Sequence, residues 1–168
     1  IILNPNLVSH NGRFISVSKN DEEKFLVKNL TYLDLTKFNV GKLNKETEYG
    51  KFFLGQKELP FAVMPKAVDV IDRINVLTGG RVKFQFEMKT DPAHPENTVS
   101  PKEFAEKIYA ILREKNLVQT AEVQSFDWQC LYELQKLNSN IKTAYLTSRD
   151  PYKEVTSPDK KIRTLWTG

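Results

Sequence analysis

The stretch Arg81-Val82-Lys83-Phe84-Gln85-Phe86-Glu87-Met88-Lys89 decides how the fold of this chain is interpreted. It predicts a strand that ends in two charged residues. Because successive side chains of a strand point to opposite faces, Glu87 and Lys89 lie on the same side. A carboxylate and an ammonium group at the carboxyl end of a strand can hold a divalent metal ion and a phosphate oxygen side by side. The stretch therefore predicts a polar site at the end of a strand.

Helices and strands alternate along the rest of the chain. Two further strands are predicted over 121–126 and 141–146, and helices are predicted to begin at Pro65 and Ser100 and to cover Trp128–Leu137. This order is typical of a parallel sheet whose crossover connections are helices. Three strands cannot close an eight-stranded barrel, so we expect either a small open sheet or roughly half to two-thirds of a β/α barrel.

The N-terminal part gives weaker signals. Residues 1–28 and 41–61 are predicted to be irregular, whereas 30–40 are predicted to form a short helix. Thr31 and Asp34 have the spacing of a capping box, which stabilises a helix start.

Composition describes an ordinary globular protein. The chain has 168 residues, 40% hydrophobic and 27% charged, and is predicted to form one domain over 1–168. It has no run of about 18 apolar residues, so no transmembrane segment is expected. It begins at Ile1, without Met or a signal peptide, as expected of a mature form or a piece of a longer protein. The cluster Lys160-Lys161 with Arg163 is interpreted as a solvated loop, so no nucleic-acid partner is expected.

The chain has one cysteine, Cys130, which excludes an internal disulfide. Cys130 lies inside a predicted helix, so we expect a buried or half-buried thiol, not a nucleophile. Both a cytoplasmic and a periplasmic or secreted location fit this cysteine usage.

Several short motifs occur in a defined order along the chain. They are Leu3-Asn4-Pro5, Leu35-Thr36-Lys37-Phe38-Asn39-Val40-Gly41, Met64-Pro65, Phe86-Glu87-Met88-Lys89-Thr90, His94-Pro95-Glu96, Ser100-Pro101 with Phe104, Val123-Gln124-Ser125-Phe126-Asp127-Trp128, Thr143-Ala144-Tyr145-Leu146-Thr147 and Leu165-Trp166-Thr167-Gly168. Together they resemble the glycerophosphodiester phosphodiesterases, in particular a bacterial branch of that family. The most specific part is the combination of Glu87-Met88-Lys89 with the later strand end from Gln124 to Trp128.

The resemblance implies an incomplete β/α barrel and a phosphoric diester hydrolase of lipid metabolism. Such enzymes split glycerophosphodiesters into glycerol 3-phosphate and an alcohol with the help of a divalent cation, which we expect to be Mg²⁺ or Ca²⁺. Of the expected metal ligands, only Glu87 can be assigned in this chain. The resemblance further implies that Lys89 is the catalytic cation facing the phosphate.

The departures from the family pattern concern the catalytic histidines. The family's His-Arg-Gly and His-Asp motifs, which supply the general acid and base, have no counterpart here. The first and last strands of the barrel are also expected to be missing. We therefore expect the chain by itself to be inactive and to bind Mg²⁺ or Ca²⁺ only weakly.

Other candidate residues lie near the predicted strand ends. Gln124 and Trp166 are predicted to contact the substrate, although Trp166 fits a packing role equally well. Trp128 is expected to pack. His94 follows the Glu87 strand closely enough to reach the site, but the favoured interpretation places it outside the site. His10 is interpreted as a solvated side chain in a polar turn.

Three alternatives remain open. Glu87 and Lys89 can be a simple ion pair at a strand end. The chain can be a noncatalytic phosphate-binding or interaction module of the same fold. It can also come from a related barrel such as a phosphatidylinositol-specific phospholipase C, although the Gln124 to Trp128 strand end speaks against this.

Overall fold

The structure is a computed structural model that describes residues 8–9, 23–41, 45, 51–52, 62–147 and 166–167. The chain divides into two compact units, Ile1–Lys66 and Ala67–Gly168. This division does not test the expectation of one partial barrel domain over 1–168, which stays a prediction.

The first unit contains a two-stranded antiparallel sheet. Strand β1 (Val8–Ser9) pairs with β2 (Phe38–Asn39), and a single helical turn, α1 (Tyr32–Leu35), lies between them in sequence. The capping box at Thr31 is confirmed: its hydroxyl accepts from the amide of Asp34 at 3.2 Å, and Asp34 Oδ2 accepts from the amide of Thr31 at 3.1 Å.

The predicted extent of that helix is wrong. It ends at Leu35 because Phe38 and Asn39 pair with β1 and are buried. The ring of Phe38 also packs edge-on against Phe25. Tertiary pairing thus overrides the helical spacing of the apolar residues. Likewise, β1 and the 3₁₀ turn Val27–Asn29 correct the prediction that residues 1–28 are irregular throughout.

The second unit is a parallel three-stranded sheet with helices in the connections. Its elements in chain order are α2 (Ala67–Thr78), β3 (Gln85–Glu87), α3 (Pro101–Glu114), β4 (Glu122–Ser125), α4 (Trp128–Leu137) and β5 (Lys142–Tyr145). The strand order is β3-β4-β5, and both pairings are parallel. This confirms the mixed α/β class and the parallel sheet that the sequence predicts.

The helix boundaries follow local chemistry. Gly79 and Gly80 end α2 with φ values of 61° and 70°, a left-handed backbone that favours glycine. Ser100 caps α3 by accepting from the amide of Glu103, and Asp127 caps α4 by accepting from the amide of Gln129. Helix α4 therefore has the bounds that the sequence predicts.

The core of this unit lies between the sheet and its helices. Val123 of β4 is fully buried, and α3 and α4 pack on each other. The helices contribute Ile108, Leu112, Leu131 and Leu134, against which Phe84 and Phe86 pack. The strands are shorter than predicted, and Val82, predicted to be in β3, is exposed.

Candidate active site

The two faces of the three-stranded sheet differ in chemistry. Phe84, Phe86 and Val123 alternate towards the helices and the core. The opposite side chains, which we call the polar face, belong to Gln85, Glu87, Glu122, Gln124 and Lys142. Strand alternation places them together because direct partners on parallel strands project to the same side.

The carboxyl edge of the polar face brings together three of the predicted site residues. Glu87 is the direct partner of Gln124, and Gln124 is the direct partner of Ala144. Lys89 follows two residues after Glu87, and its Nζ lies 3.7 Å from Glu87 Oε1. An acidic, an amide and a basic side chain thus lie at one edge of the sheet.

The contact between Glu87 and Lys89 is the ion pair foreseen as the simpler alternative. The side chain of Lys89 is 62% exposed and that of Glu87 is 34% exposed. Ion pairs of this exposure contribute about 0–1 kcal/mol to stability. Because breaking the pair costs so little, both groups remain available to a charged ligand.

The oxygen donors at this edge are compatible with Mg²⁺ or Ca²⁺. Both ions prefer carboxylate and amide oxygens, and Mg²⁺ commonly uses one or two carboxylates together with waters and substrate phosphates. Glu87 and Gln124 carry oxygen atoms of this kind. The carboxylate of Glu122 is already engaged, because it accepts a hydrogen bond from Gln85. Among the residues that the structure describes, no three His, Cys, Asp or Glu side chains form a group that could hold a metal ion.

Trp166 lies at the beginning of α4, next to Trp128. The backbone amide of Trp128 donates to the carbonyl oxygen of Trp166 at 2.8 Å, and Trp166 is half-buried. Its predicted contact with substrate stays a prediction. Trp128 packs as expected: its ring lies edge-on to Tyr145, and its Nε1 donates to the carbonyl of Leu146.

His94 lies in the loop after β3, beside the 3₁₀ turn Pro95–Asn97. Its exposed side chain has Nδ1 3.4 Å from Glu96 Oε1. His10 and the cluster of Lys160, Lys161 and Arg163 lie outside the described residues.

A buried polar network next to the site was not foreseen from the sequence. The hydroxyl of Ser125 donates to the carbonyl of Met88 at 2.7 Å and accepts from the amide of Asp127 at 3.0 Å. The hydroxyl of Thr90 donates to Asp127 Oδ2 at 2.6 Å. The signal for Ser125 was present, because it shares strand parity with the core residue Val123, and a buried hydroxyl needs a partner.

Cys130 lies against this network and is fully buried. Burial, assisted by the negative charge of Asp127, raises the pKa of the Cys130 thiol to about 12. The thiol is therefore protonated near neutral pH, in agreement with the expectation that it is not a nucleophile.

A cavity of about 220 Å³ opens beside the same network. Its lining includes Thr90, Asp91, Thr98, Ser100, Asp127 and Gln129. Thr90 and Asp127 belong to the buried set of the strand ends, not to the polar face. The Glu87 and Lys89 pair does not line this cavity.

Comparison with known proteins identifies a similar fold. No family model matches the chain, and no curated protein matches it. A structure search matches a 1.60 Å crystal structure from Silicibacter pomeroyi DSS-3, of a protein provisionally named a glycerophosphoryl diester phosphodiesterase. The TM-score is 0.73 at 23% identity, and the match covers 97% of this chain and 52% of that one. The chain thus spans about half the length of this neighbour and shares the fold of that half. The name of the neighbour agrees with the family that the sequence motifs resemble.

Proposed function

We propose that this chain is part of a metal-dependent phosphodiesterase that hydrolyses glycerophosphodiesters to glycerol 3-phosphate and an alcohol. The observation that carries the proposal is the meeting of Glu87, Gln124 and Lys89 at the carboxyl edge of a parallel sheet. In β/α barrels this edge is where the catalytic residues lie. The fold shared with the Silicibacter pomeroyi protein and the order of the sequence motifs support the same assignment.

Each side chain of the site has a role that follows from its chemistry. Glu87 would supply a carboxylate oxygen to Mg²⁺ or Ca²⁺, and Gln124 would add an amide oxygen or donate to the substrate. Lys89 would contact a nonbridging phosphate oxygen as a point charge. When bound, the divalent ion would neutralise the phosphodiester and polarise it for attack by a nucleophile. Trp166 would contact the alcohol or glycerol part of the substrate.

Proton transfer requires groups that this chain does not supply in the family's pattern. The sequence contains His10 and His94 but neither of the two family histidine motifs. We therefore assign the complete reaction to the whole protein, and we expect the 168-residue chain alone to show no hydrolysis.

An assay of the whole protein and of the 168-residue chain tests the proposal. Glycerophosphocholine and phosphatidylinositol are offered separately, with Mg²⁺, with Ca²⁺ or with a chelator. The proposal expects the whole protein to hydrolyse glycerophosphocholine in a metal-dependent manner, and Glu87→Gln to abolish this. Glu122→Gln, at a carboxylate already bound to Gln85, is the matched control. Hydrolysis of phosphatidylinositol alone, or full activity of Glu87→Gln, would contradict the proposal.

A noncatalytic phosphate-binding module is the second candidate. It is favoured by the exposure of the Lys89 side chain, whose ammonium group is accessible to a phosphate. The same assay, together with a glycerol 3-phosphate titration of the wild type and of Lys89→Met, separates the two functions. A whole protein that binds glycerol 3-phosphate through Lys89 but never hydrolyses a diester would support the module.

A further inference from the structure

Ser125 connects three elements at the carboxyl edge of the sheet. Its hydroxyl donates to the carbonyl oxygen of Met88, which lies just after β3, at 2.7 Å. Its own carbonyl accepts from the amide of Leu146, just after β5, at 3.0 Å. The amide of Asp127, which caps α4, donates to the Ser125 hydroxyl oxygen at 3.0 Å. One fully buried serine therefore joins the ends of all three strands to the start of a helix.

The direction of the hydroxyl proton follows from these partners. The amide of Asp127 can only donate, so the serine oxygen accepts there and its proton is free to point elsewhere. The carbonyl of Met88 can only accept, which directs the proton towards it.

Met88 occupies the position between the two charged site residues. Its amide donates to the carbonyl of Gln124 at 2.9 Å, and its side chain is almost completely buried. Ser125 holds the carbonyl of the same residue. The backbone between Glu87 and Lys89 is thus fixed on both sides, and alternation then directs both charged side chains to the polar face.

We propose that Ser125 is a positioning residue, which fixes the Met88 carbonyl and thereby holds Glu87 and Lys89 in place on the polar face. The ligands of Glu87 and Lys89 are taken from the proposed function, whereas the positioning role itself does not depend on it. The bond from Thr90 to Asp127 supports it, because it anchors the residue after Lys89 to the same helix start. Ser125 itself points away from the polar face.

Amide hydrogen exchange in Ser125→Ala tests the positioning directly. The amides of Met88 and Glu122 both belong to the pairing of β3 with β4, but they lie at opposite ends of it. We expect the ratio of the Met88 to the Glu122 exchange rate to rise about tenfold, as for the loss of one buried hydrogen bond. A general loss of stability would raise the exchange rates of both amides by the same factor. That result would overturn the proposal.

Thr143→Val is the matched control variant. Thr143 lies on β5 and accepts from Gln135 Nε2 at 2.8 Å, without any bond to β3. We expect its Met88 to Glu122 ratio to equal that of the wild type. If Ser125→Ala does not fold, the wild type still decides the question. A protected Ser125 hydroxyl proton with a through-space signal to Met88 supports the proposal, and a rapidly exchanging one overturns it.

A Mn²⁺ titration followed by NMR line broadening tests the consequence for the site. We expect Ser125→Ala to weaken Mn²⁺ binding near Glu87 about tenfold relative to the wild type and to Thr143→Val. Unchanged binding in a variant with a loosened Met88 would overturn the positioning role. If the wild type binds no Mn²⁺ there, the metal assignment of the proposed function fails, while the exchange ratio still decides the role of Ser125.

Discussion

Glu87 on β3 and Gln124 on β4 are direct partners in a parallel pairing, and their side chains leave the sheet on the same face. The pairing places a carboxylate beside an amide at the edge where a parallel sheet binds its ligands. Lys89 extends the same line of side chains by one more position. Register and alternation bring the three side chains to the same face of the sheet.

Lys89→Met is expected to weaken binding of sn-glycerol 3-phosphate, because it removes the exposed cation beside Glu87. We expect the dissociation constant to rise about tenfold at low salt, and the difference to shrink as salt screens the charge. Titration followed by ³¹P NMR measures it. Lys142→Met, an exposed lysine at the start of β5, is the matched control. Equal losses in both variants would mean that only net charge matters.

Thr90→Val is expected to destabilise the second unit. It removes the hydroxyl that donates to the buried carboxylate of Asp127 at 2.6 Å while keeping the shape of the side chain. Loss of a donor to a buried acceptor costs about 1–3 kcal/mol in the free energy of unfolding, and only the weaker thiol donor of Cys130 remains on Oδ2. Denaturant unfolding measures the loss, and Thr90→Ser, which keeps the donor, should recover most of it. A Thr90→Val protein as stable as the wild type would show that the bond contributes nothing.

Cys130 is expected to make stability fall in alkaline solution. Burial raises its pKa from 9.0 to about 12, so between these values the unfolded chain has lost the thiol proton and the folded chain has not. The free energy of unfolding then falls by about 1.4 kcal/mol per pH unit. Unfolding of the wild type and of Cys130→Ala at about pH 8 and about pH 10.5 isolates the contribution, because the remaining groups are common to both. We expect the stability difference to change by about 2 kcal/mol, in favour of the variant at high pH. An unchanged difference would contradict the burial of the thiol.

Asp34 is expected to titrate near pH 2. The hydrogen bond from Lys37 Nζ, followed by those from Thr31, lowers the pKa of its carboxyl group from 3.8 to about 2. A lowered pKa stabilises the folded state above about pH 4, and that stabilisation is lost as the pH falls towards 2. Carboxyl ¹³C NMR of Asp34 measures the value, and Lys37→Met should move it back towards 3.8. Titration at the ordinary value in both proteins would refute the pairing.

Much of the second unit is predictable because local signals and tertiary packing agree there. Asp127 caps α4 where the sequence places the cap, and Gly79 and Gly80 end α2 with the left-handed backbone that glycine permits. The first unit is less predictable. The apolar spacing around Leu35 continues to Phe38, but only the partner strand at Val8–Ser9 decides that Phe38 leaves the helix.

The candidate site is predictable only in part, for a related reason. Glu87 and Lys89 are recognisable because charged residues at a strand end need a function or a partner. Strand parity marks Ser125 as a buried hydroxyl, but its contacts are not recognisable, since its partners at Met88 and Leu146 are backbone groups far away in the sequence. Backbone groups leave no residue-type signal in the sequence.

Within the described residues, no helix is long and apolar enough to cross a bilayer.

A Mn²⁺ titration of the wild type beside Glu87→Gln tests most directly whether Glu87 is a metal ligand. Mn²⁺ favours the same oxygen donors as Mg²⁺ and broadens nearby NMR signals even when binding is weak. We expect broadening centred on the amides of Glu87, Lys89 and Gln124, which is lost in Glu87→Gln and retained in Glu122→Gln. Broadening that persists unchanged in Glu87→Gln, or that centres on another part of the chain, would contradict it.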